Sequence, residues 1–227
     1  MPRGVSALPN TPEDRLATDR AKALQLSHVS RETSARLDSF VTLLLKWQQR
    51  MNLIGPSTVE QVWTRHVADS LQLLDLAPDA HVWIDLGTGA GFPGLVIAAA
   101  LADTPDVMIH LVEKSPKKST FLREVVRSLK LPALVHTVRI EDFIHSFSDS
   151  ADAVAARALA PLPELLGFVA PFVEKGAQAL LLKGQDVDAE LTQASKCWNI
   201  EYTLVPSRTD PRGRIVVVRR LERRIKE

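Results

Sequence analysis

Apolar positions in the first third of the chain recur three and four residues apart. In "LDSFVTLLLKWQQRMNLIG" (37–55), Leu37, Phe40, Val41, Leu44 and Leu45 fall on one stripe, with Lys46, Gln48, Gln49 and Arg50 interleaved as polar positions. That spacing predicts a helix buried along one side. Gly55-Pro56 closes it, and Ser57 or Thr58 is placed to cap a second helix, "VEQVWTRHVADSLQLLDL" (59–76). Residues 1 to 14 carry three prolines and few large apolar side chains, which predicts a loose arm.

At Val82 the pattern changes. Short apolar runs ("VWIDL", "IHLVE", "LVHTV", "ADAVAARA", "AQALLLKG") alternate with helical segments ("GLVIAAALA", "KKSTFLREVVRSLKL", "LPELLGFVAPFV", "VDAELTQASKCW"). This alternation predicts βαβ units in a mostly parallel sheet with helices on both faces. The final runs, "IEYTLVP" and "RIVVVRRL", are joined by "SRTDPRGR", a turn-rich connection suited to an antiparallel hairpin. The tail "RRLERRIKE" is expected beyond the last strand. The division that follows is an N-terminal arm and helical extension over 1–79 and an α/β domain over 80–227.

Composition narrows the function classes. The chain has 227 residues, 45% hydrophobic and 24% charged, enough to bury a core and ordinary for a globular protein. The longest apolar runs are too short to span a bilayer, and the first residues lack the apolar centre of a secretory signal, so the cytoplasm is expected. A single cysteine, Cys197, excludes an internal disulfide and a cysteine-rich metal site; beside Trp198 it is expected to pack as a small core residue. The six histidines are scattered without ligand spacing, so no metal is expected. A net charge of +1 means that any nucleic-acid partner must meet a local basic patch.

The candidate chemistry sits after the first strand of the α/β region. "DLGTGAG" (85–91) ends a strand at an acid and opens into Gly87, Gly89 and Gly91. Glycine lets backbone approach a ligand closely, and such a loop at the carboxyl end of a parallel strand is the usual cradle. The dinucleotide fingerprint needs glycine where Phe92 stands, and no G-K-S/T follows for a phosphate-loop ATPase. The spacing D-x-G-x-G-x-G instead resembles motif I of class I S-adenosylmethionine-dependent methyltransferases. Glu113 closes "IHLVE" 22 residues beyond Gly91, where an acid accepts hydrogen bonds from both ribose hydroxyls. Ile140 and Glu141 in "VRIEDF" stand where such enzymes sandwich the adenine.

A narrower resemblance covers nearly the whole chain from Leu37 onward. "LLLKWQQRMNLIG", "RHVADSLQLL", "DLGTGAGFPG", "KKSTFLREV", "RIEDF", "ARALAPL" and "LLLKGQ" occur in this order. Together they resemble the bacterial small-subunit ribosomal RNA guanine-N7 methyltransferases of the G set, also called glucose-inhibited division protein B. The resemblance implies a Rossmann-like class I methyltransferase that acts as a monomer in the cytoplasm. It implies methyl transfer from S-adenosylmethionine to N7 of one guanine in 16S ribosomal RNA, near the decoding site. Carried over by motif, Asp85, Gly87, Gly89, Gly91, Phe92, Glu113, Ile140, Glu141 and Arg157 are the expected cofactor residues. Ile54 stands where the family often has threonine, and Ala90 where proline is frequent.

Guanine N7 carries a lone pair on the major-groove edge and no proton, so no general base is required and no catalytic side chain is assigned. For RNA contact the candidates are Lys46 and Arg50 on the extension, Lys114, Lys117 and Lys118 after the second strand, and Lys183 at the end of "ALLLKG". Arg208, Arg212 and Arg214 are further surface cations in the last turn. His66 and Asp69 are candidates to orient the base by motif position. Two other readings stay open here: a small-molecule or protein acceptor in an enclosed pocket, and a non-catalytic nucleotide-binding assembly factor.

Overall fold

The computed structural model describes residues 11–224. Its strands are β1 (Val82–Leu86), β2 (Met108–Val112), β3 (Ala133–His136), β4 (Ala153–Arg157), β5 (Gln178–Lys183), β6 (Trp198–Pro206) and β7 (Arg214–Arg223). They form one sheet in the order β3-β2-β1-β4-β5-β7-β6. β1 to β5 run parallel, and β7 enters antiparallel between β5 and β6. The strand order reverses between β1 and β4, so the carboxyl end of β1 opens onto the switch point where such sheets bind ligands.

The period-two alternation of each strand sends residues to two cores. Trp83, Ile109, Leu111, Ala155, Leu180 and Val217 face one side. Ile84, Leu86, Val112, Val154, Leu181 and Val216 face the other. The first face is covered by α2 (Arg31–Gln48), α4 (Gly94–Ala100) and α5 (Pro116–Leu129). The second is covered by α6 (Ile140–Ser146), α7 (Leu162–Val173) and α8 (Val187–Ala194). The stripe predicted on α2 is the buried one: Leu37, Phe40, Val41 and Leu44 are inside, with Leu45 packed against them.

Several expectations need correction. The helix through Leu37 ends at Gln48, not Gly55. The Gln48 side chain takes over from the helical ladder: its Oε1 accepts the amides of Leu53 and Ile54, and its Nε2 donates to the Ile54 carbonyl, folding the chain back. The single helix expected over 59–76 is a 3-10 turn (Pro56–Gln61), a π turn (Trp63–Ala68) and one α turn, α3 (Asp69–Leu71). Neither Ser57 nor Thr58 caps it. The cap comes from α1 (Pro12–Leu26), a helix that composition did not reveal: Asp19 accepts the amides of Trp63 and Thr64 and the Thr64 hydroxyl.

α1 also occupies part of the arm expected over 1–14, with Thr11 as a capping box and Pro12 in its first turn; residues 1–10 lie outside the described residues. The tail is not a tail: Arg219–Arg223 continue β7, and Arg220–Arg223 pair with β6 past an irregularity at Glu201/Tyr202. Residues 225–227 lie outside the described residues. Cys197, expected in the core, is exposed on the turn after α8. Among the described residues no helix is long and apolar enough to cross a membrane.

Candidate active site

The loop leaving β1 is built from three left-handed glycines, Gly87 (φ 68°), Gly89 (φ 60°) and Gly91 (φ 92°). A side chain at such φ is strained, and at Gly91 a Cβ would lie 2.3 Å from Leu95 Cδ1. Asp85 anchors the loop from beneath. Its Oδ2 accepts the amide of Gly94, the first residue of α4, at 2.7 Å, while Oδ1 has no partner. Burial pushes this carboxyl up to about 6, against the pull of the neighbouring Thr88 hydroxyl, the Gly94 amide and the Arg157 cation.

Glu113, at the end of β2, holds the loop from the side. Its Oε2 accepts the Gly89 amide at 3.1 Å and its Oε1 the Ser115 amide at 2.8 Å. An ionised carboxylate has about four lone-pair directions, so two stay available for a ligand. The Glu113 amide donates to the His136 carbonyl, which sets the end of β3 beside it, and the chain then runs to Ile140 and Glu141 at the start of α6. Glu141 is exposed and lies 3.5 Å from Arg139.

A cleft of about 600 Å³ begins at Gly87, Thr88 and Gly89 and runs toward the hairpin between β6 and β7. Phe92 forms part of its wall and joins two polar groups. The His66 ring stacks on it at 4.9 Å and 26°, and the Arg157 guanidinium lies 5.2 Å from the ring centroid. Arg157 also donates to the Arg65 carbonyl at 2.9 Å and sits 3.7 Å from Asp69 Oδ2. Burial lowers its pKa, opposed first by Asp69 and then by Asp85. Asp69 in turn accepts from Gln72, Ser207 and Thr209, which ties the π turn to the hairpin.

The tautomer of His66 follows from its neighbours. The Thr58 hydroxyl donates to the Gly55 carbonyl at 2.8 Å, so its oxygen accepts from His66 Nε2–H at 2.9 Å. His66 Nδ1 is therefore a buried lone pair with no partner. Burial, then Arg157 and Arg65, lower this histidine to about 3, so it is neutral at physiological pH.

This site is assembled from parts shared by many enzymes and others that are not. Residues 33–211 match the family model described as rRNA small subunit methyltransferase G. The chain belongs to this family. A Ribosomal RNA small subunit methyltransferase G of Bradyrhizobium sp. (strain BTAi1) is 55% identical over 92% of this chain and 94% of its own length. One from Nitrobacter hamburgensis is 57% identical over 92% of this chain and 80% of its own. The O-methyltransferase from Bacillus cereus in complex with SAH has a TM-score of 0.60 at 13% identity, covering 89% of this chain and 99% of that one, a likeness of fold.

Within this methyltransferase, the cleft gathers Gly87, Gly89, Phe92, Arg157, His66, Asp69, Lys118 and Lys183 from the residues singled out by sequence. Lys183 is engaged there: it forms an ion pair with Glu190 at 2.6 Å and donates to the Ala160 carbonyl. Lys46, Arg50 and Lys117 line a separate groove between α2 and α5, and Lys114 is exposed beyond β2. Of the cations in the last turn, Arg208 is paired with Asp75, while Arg212 donates to Gln185 and Arg214 to nearby carbonyls. The sequence offered Thr58 only as a helix cap and gave no sign of Ser207, Thr209 or the Arg65–Asp210 pair at 2.6 Å. Small hydroxyl residues in a turn-rich segment carry no signal of the carboxylate they will hold.

Proposed function

We propose that this methyltransferase moves the methyl group of S-adenosylmethionine to N7 of a single guanine in 16S ribosomal RNA near the decoding site. We propose further that it acts as a monomer in the cytoplasm, with residues 80–227 as the methyltransferase domain and residues 1–79 as an extension that helps to shape the acceptor side. The observation that carries this reading is the path of the cleft, which starts at the glycine loop and ends at a surface edged by Arg65, Lys118 and Arg214. An acceptor that enters from a polymer needs such an opening.

The residues around the loop fit the donor. Gly89 leaves no Cβ to keep a ligand away, Gly87 and Gly91 let Leu159 and Leu95 pack against the loop from behind, and Glu113 retains free acceptor positions. S-adenosylmethionine, when bound, supplies an electrophilic methyl group on a sulfonium. The loop amides and Glu113 would hold it, with Ile140 and Glu141 toward its base. Phe92 and Arg157, expected at the cofactor, line the cleft beside the loop together with His66, and the three would close around the methyl group and the guanine and keep water out. N7 has a lone pair and no proton, so orientation and electrostatics carry the rate. A site with a neutral histidine and a carboxylate tied beneath its loop agrees with that division of labour.

The test is methyl transfer from labelled S-adenosylmethionine to small subunits from cells lacking this gene, beside subunits from unmodified cells. Label at one guanine, found only in the deficient subunits and mapped by cleavage at N7-methylguanine, is the expected result. Absence of label, with cofactor binding measured by calorimetry, would overturn the assignment of the acceptor.

A further inference from the structure

A second groove, of about 410 Å³, lies between the end of α2 and the first turns of α5, lined by Lys46, Trp47, Arg50, Met51, Lys117, Thr120 and Glu124. It is not part of the cleft, yet the two are neighbours: Lys117 lines the groove and the next residue, Lys118, lines the cleft. The first turn of α5 is the ridge between them.

Two features of this groove are unexplained by folding. The first is its charge. Among the described residues, most arginines of the extension are spent on internal ion pairs: Arg15 with Glu60, Arg20 with Asp38, Arg36 with Asp103, Arg65 with Asp210. Lys46, Arg50, Lys117 and Lys118 form none, and the groove holds one carboxylate, Glu124, against three cations. The second is Trp47. Its indole leans on Phe121 at 5.7 Å but remains half-buried, and within the described chain its N–H makes no hydrogen bond. Trp63 and Trp83 are buried outright.

A half-buried tryptophan that lines a groove beside unpaired cations suits a single-stranded nucleic acid: a base stacks on the ring and the phosphates meet the cations. We infer that this groove takes an unstacked base of the acceptor RNA strand, stacked on Trp47, while the target guanine occupies the cleft across the Lys117–Lys118 ridge. The inference rests on the RNA reading above and adds a subsite to it. Its function is register: a base held at Trp47 fixes which guanine reaches Phe92 and His66.

The experiment measures binding of a short single-stranded RNA that carries the target guanine, with an abasic residue moved through each flanking position. In the full-length enzyme one position should weaken binding about fivefold or more, the range for loss of one stacked base. Trp47→Ala should show the same weakening with the intact RNA and no additional loss at that abasic position. Trp47→Phe, which keeps a ring, should restore most of the affinity. Arg50→Glu with Lys117→Glu, both exposed, should reduce the slope of log affinity against log salt by about two. Calorimetry with S-adenosylmethionine checks that each variant is folded.

A Trp47→Ala enzyme that binds cofactor normally and responds to every abasic position as the parent does would overturn the inference. So would charge reversals that slow methylation of the assembled subunit but leave binding of naked RNA unchanged, which would give the groove to a protein component instead. Failure of the RNA reading looks different: no methyl reaches RNA from any variant, whatever the groove binds.

Discussion

Gly94 gives its amide to Asp85 Oδ2 at 2.7 Å, so the acid that ends β1 also fastens the start of α4, and the glycine loop is strung between the two. A Cβ at Gly94 would lie 2.8 Å from that same oxygen and 2.3 Å from Leu111 Cδ2. The acid therefore acts on a ligand through the loop it holds. Asp85→Asn keeps an acceptor and should leave the melting temperature unchanged, or raise it at pH 8 where the buried carboxylate is ionised. Asp85→Ala leaves the Gly94 amide unpaired and should lose about 1–3 kcal/mol of stability, the usual cost of a stranded buried donor. Denaturant unfolding of the three proteins at pH 8 separates these outcomes, and equal losses for Asn and Ala would show that the carboxylate charge is what the loop needs.

Arg157 lies within reach of the Phe92 ring, the Arg65 carbonyl and the Asp69 carboxylate at once. Arg157→Met keeps the stem and removes the charge. Asp69 retains Gln72, Ser207 and Thr209, so the fold should persist. The expected effect is a fall of roughly tenfold or more in kcat/KM for RNA, as lost cation–π and charged hydrogen-bond contacts of about 1–3 kcal/mol imply. Cofactor affinity should change far less. A matching loss in cofactor affinity, measured by calorimetry, would place Arg157 on the cofactor side of the cleft, as the motif resemblance implies.

Lys183 and Glu190 brace the wall opposite the glycine loop. Lys183 holds the Ala160 carbonyl, Glu190 accepts the Leu162 amide, and between them Leu159 fills the space where a Cβ on Gly87 would lie, 2.6 Å away. Ala158 adopts φ 50° in the same turn, a conformation that must be held in place. Lys183→Met should loosen this turn and weaken cofactor binding by about tenfold, one strained residue's worth of free energy. Glu190→Gln, still an acceptor for Leu162, should have a smaller effect. If Lys183→Met lowers RNA affinity alone, Lys183 contacts phosphate and the brace is incidental.

Most of the sheet was legible because its strands are short apolar runs bounded by turns, and every predicted strand from "VWIDL" to "RIVVVRRL" is present in the sheet. The glycine loop was legible for the same reason a binding loop works: Gly87, Gly89 and Gly91 are needed at φ values other residues avoid. What could not be read was set by contacts distant in sequence. Asp19 caps a turn 44 residues away, and α1, which buries only Ala23 and Asp19, has almost no apolar stripe to announce it. Gln48 ends its helix with a side chain that any helix would tolerate. Lys183 reads as a free cation until α8 brings Glu190 to it. Composition shows charges, and only the fold shows which are already paired.

Three histidines and one acid lead how stability follows pH, and burial lowers His136 along with the two that shift furthest. His66 and His110 are lowered to about 3 and about 4, chiefly by burial; His110 also faces His136, 3.0 Å from ring nitrogen to ring nitrogen. Both are held neutral in the fold, so their contribution is complete above about 6.5 and is lost as pH falls toward 4 and then 3. Asp85 runs the other way: raised to about 6, it favours the fold below 3.8 and loses that contribution as pH rises through 6. At pH 5 the cost from His66 alone is on the order of 2 kcal/mol, only partly offset by Asp85. The melting temperature should therefore drop between pH 7.5 and 5, and His110→Gln should reduce the drop. A melting temperature that rises on acidification would mean that Asp85 dominates.

The rate of methyl transfer should follow pH hardly at all. A general base acting at neutral pH would need a pKa near 7 and access to the acceptor. Among the described residues His66 is the only histidine lining the cleft, and it is neutral far below pH 7, with its Nε2–H given to Thr58 and its Nδ1 buried. Asp85, the one acid among the described residues raised toward neutrality, lies under the loop against Gly94. Neither is placed to take a proton from a base in the cleft, and N7 of guanine has none to give. Single-turnover rates with saturating RNA should vary by less than about threefold between pH 6.5 and 8.5, since proton transfer by a side chain is where steeper dependence would arise. A tenfold rise per pH unit that levels near 7 would require a titrating base, and His66→Gln would then identify or exclude the only histidine in the cleft. That profile would also turn the acceptor from a ring nitrogen with a free lone pair to an amine or hydroxyl that must lose a proton.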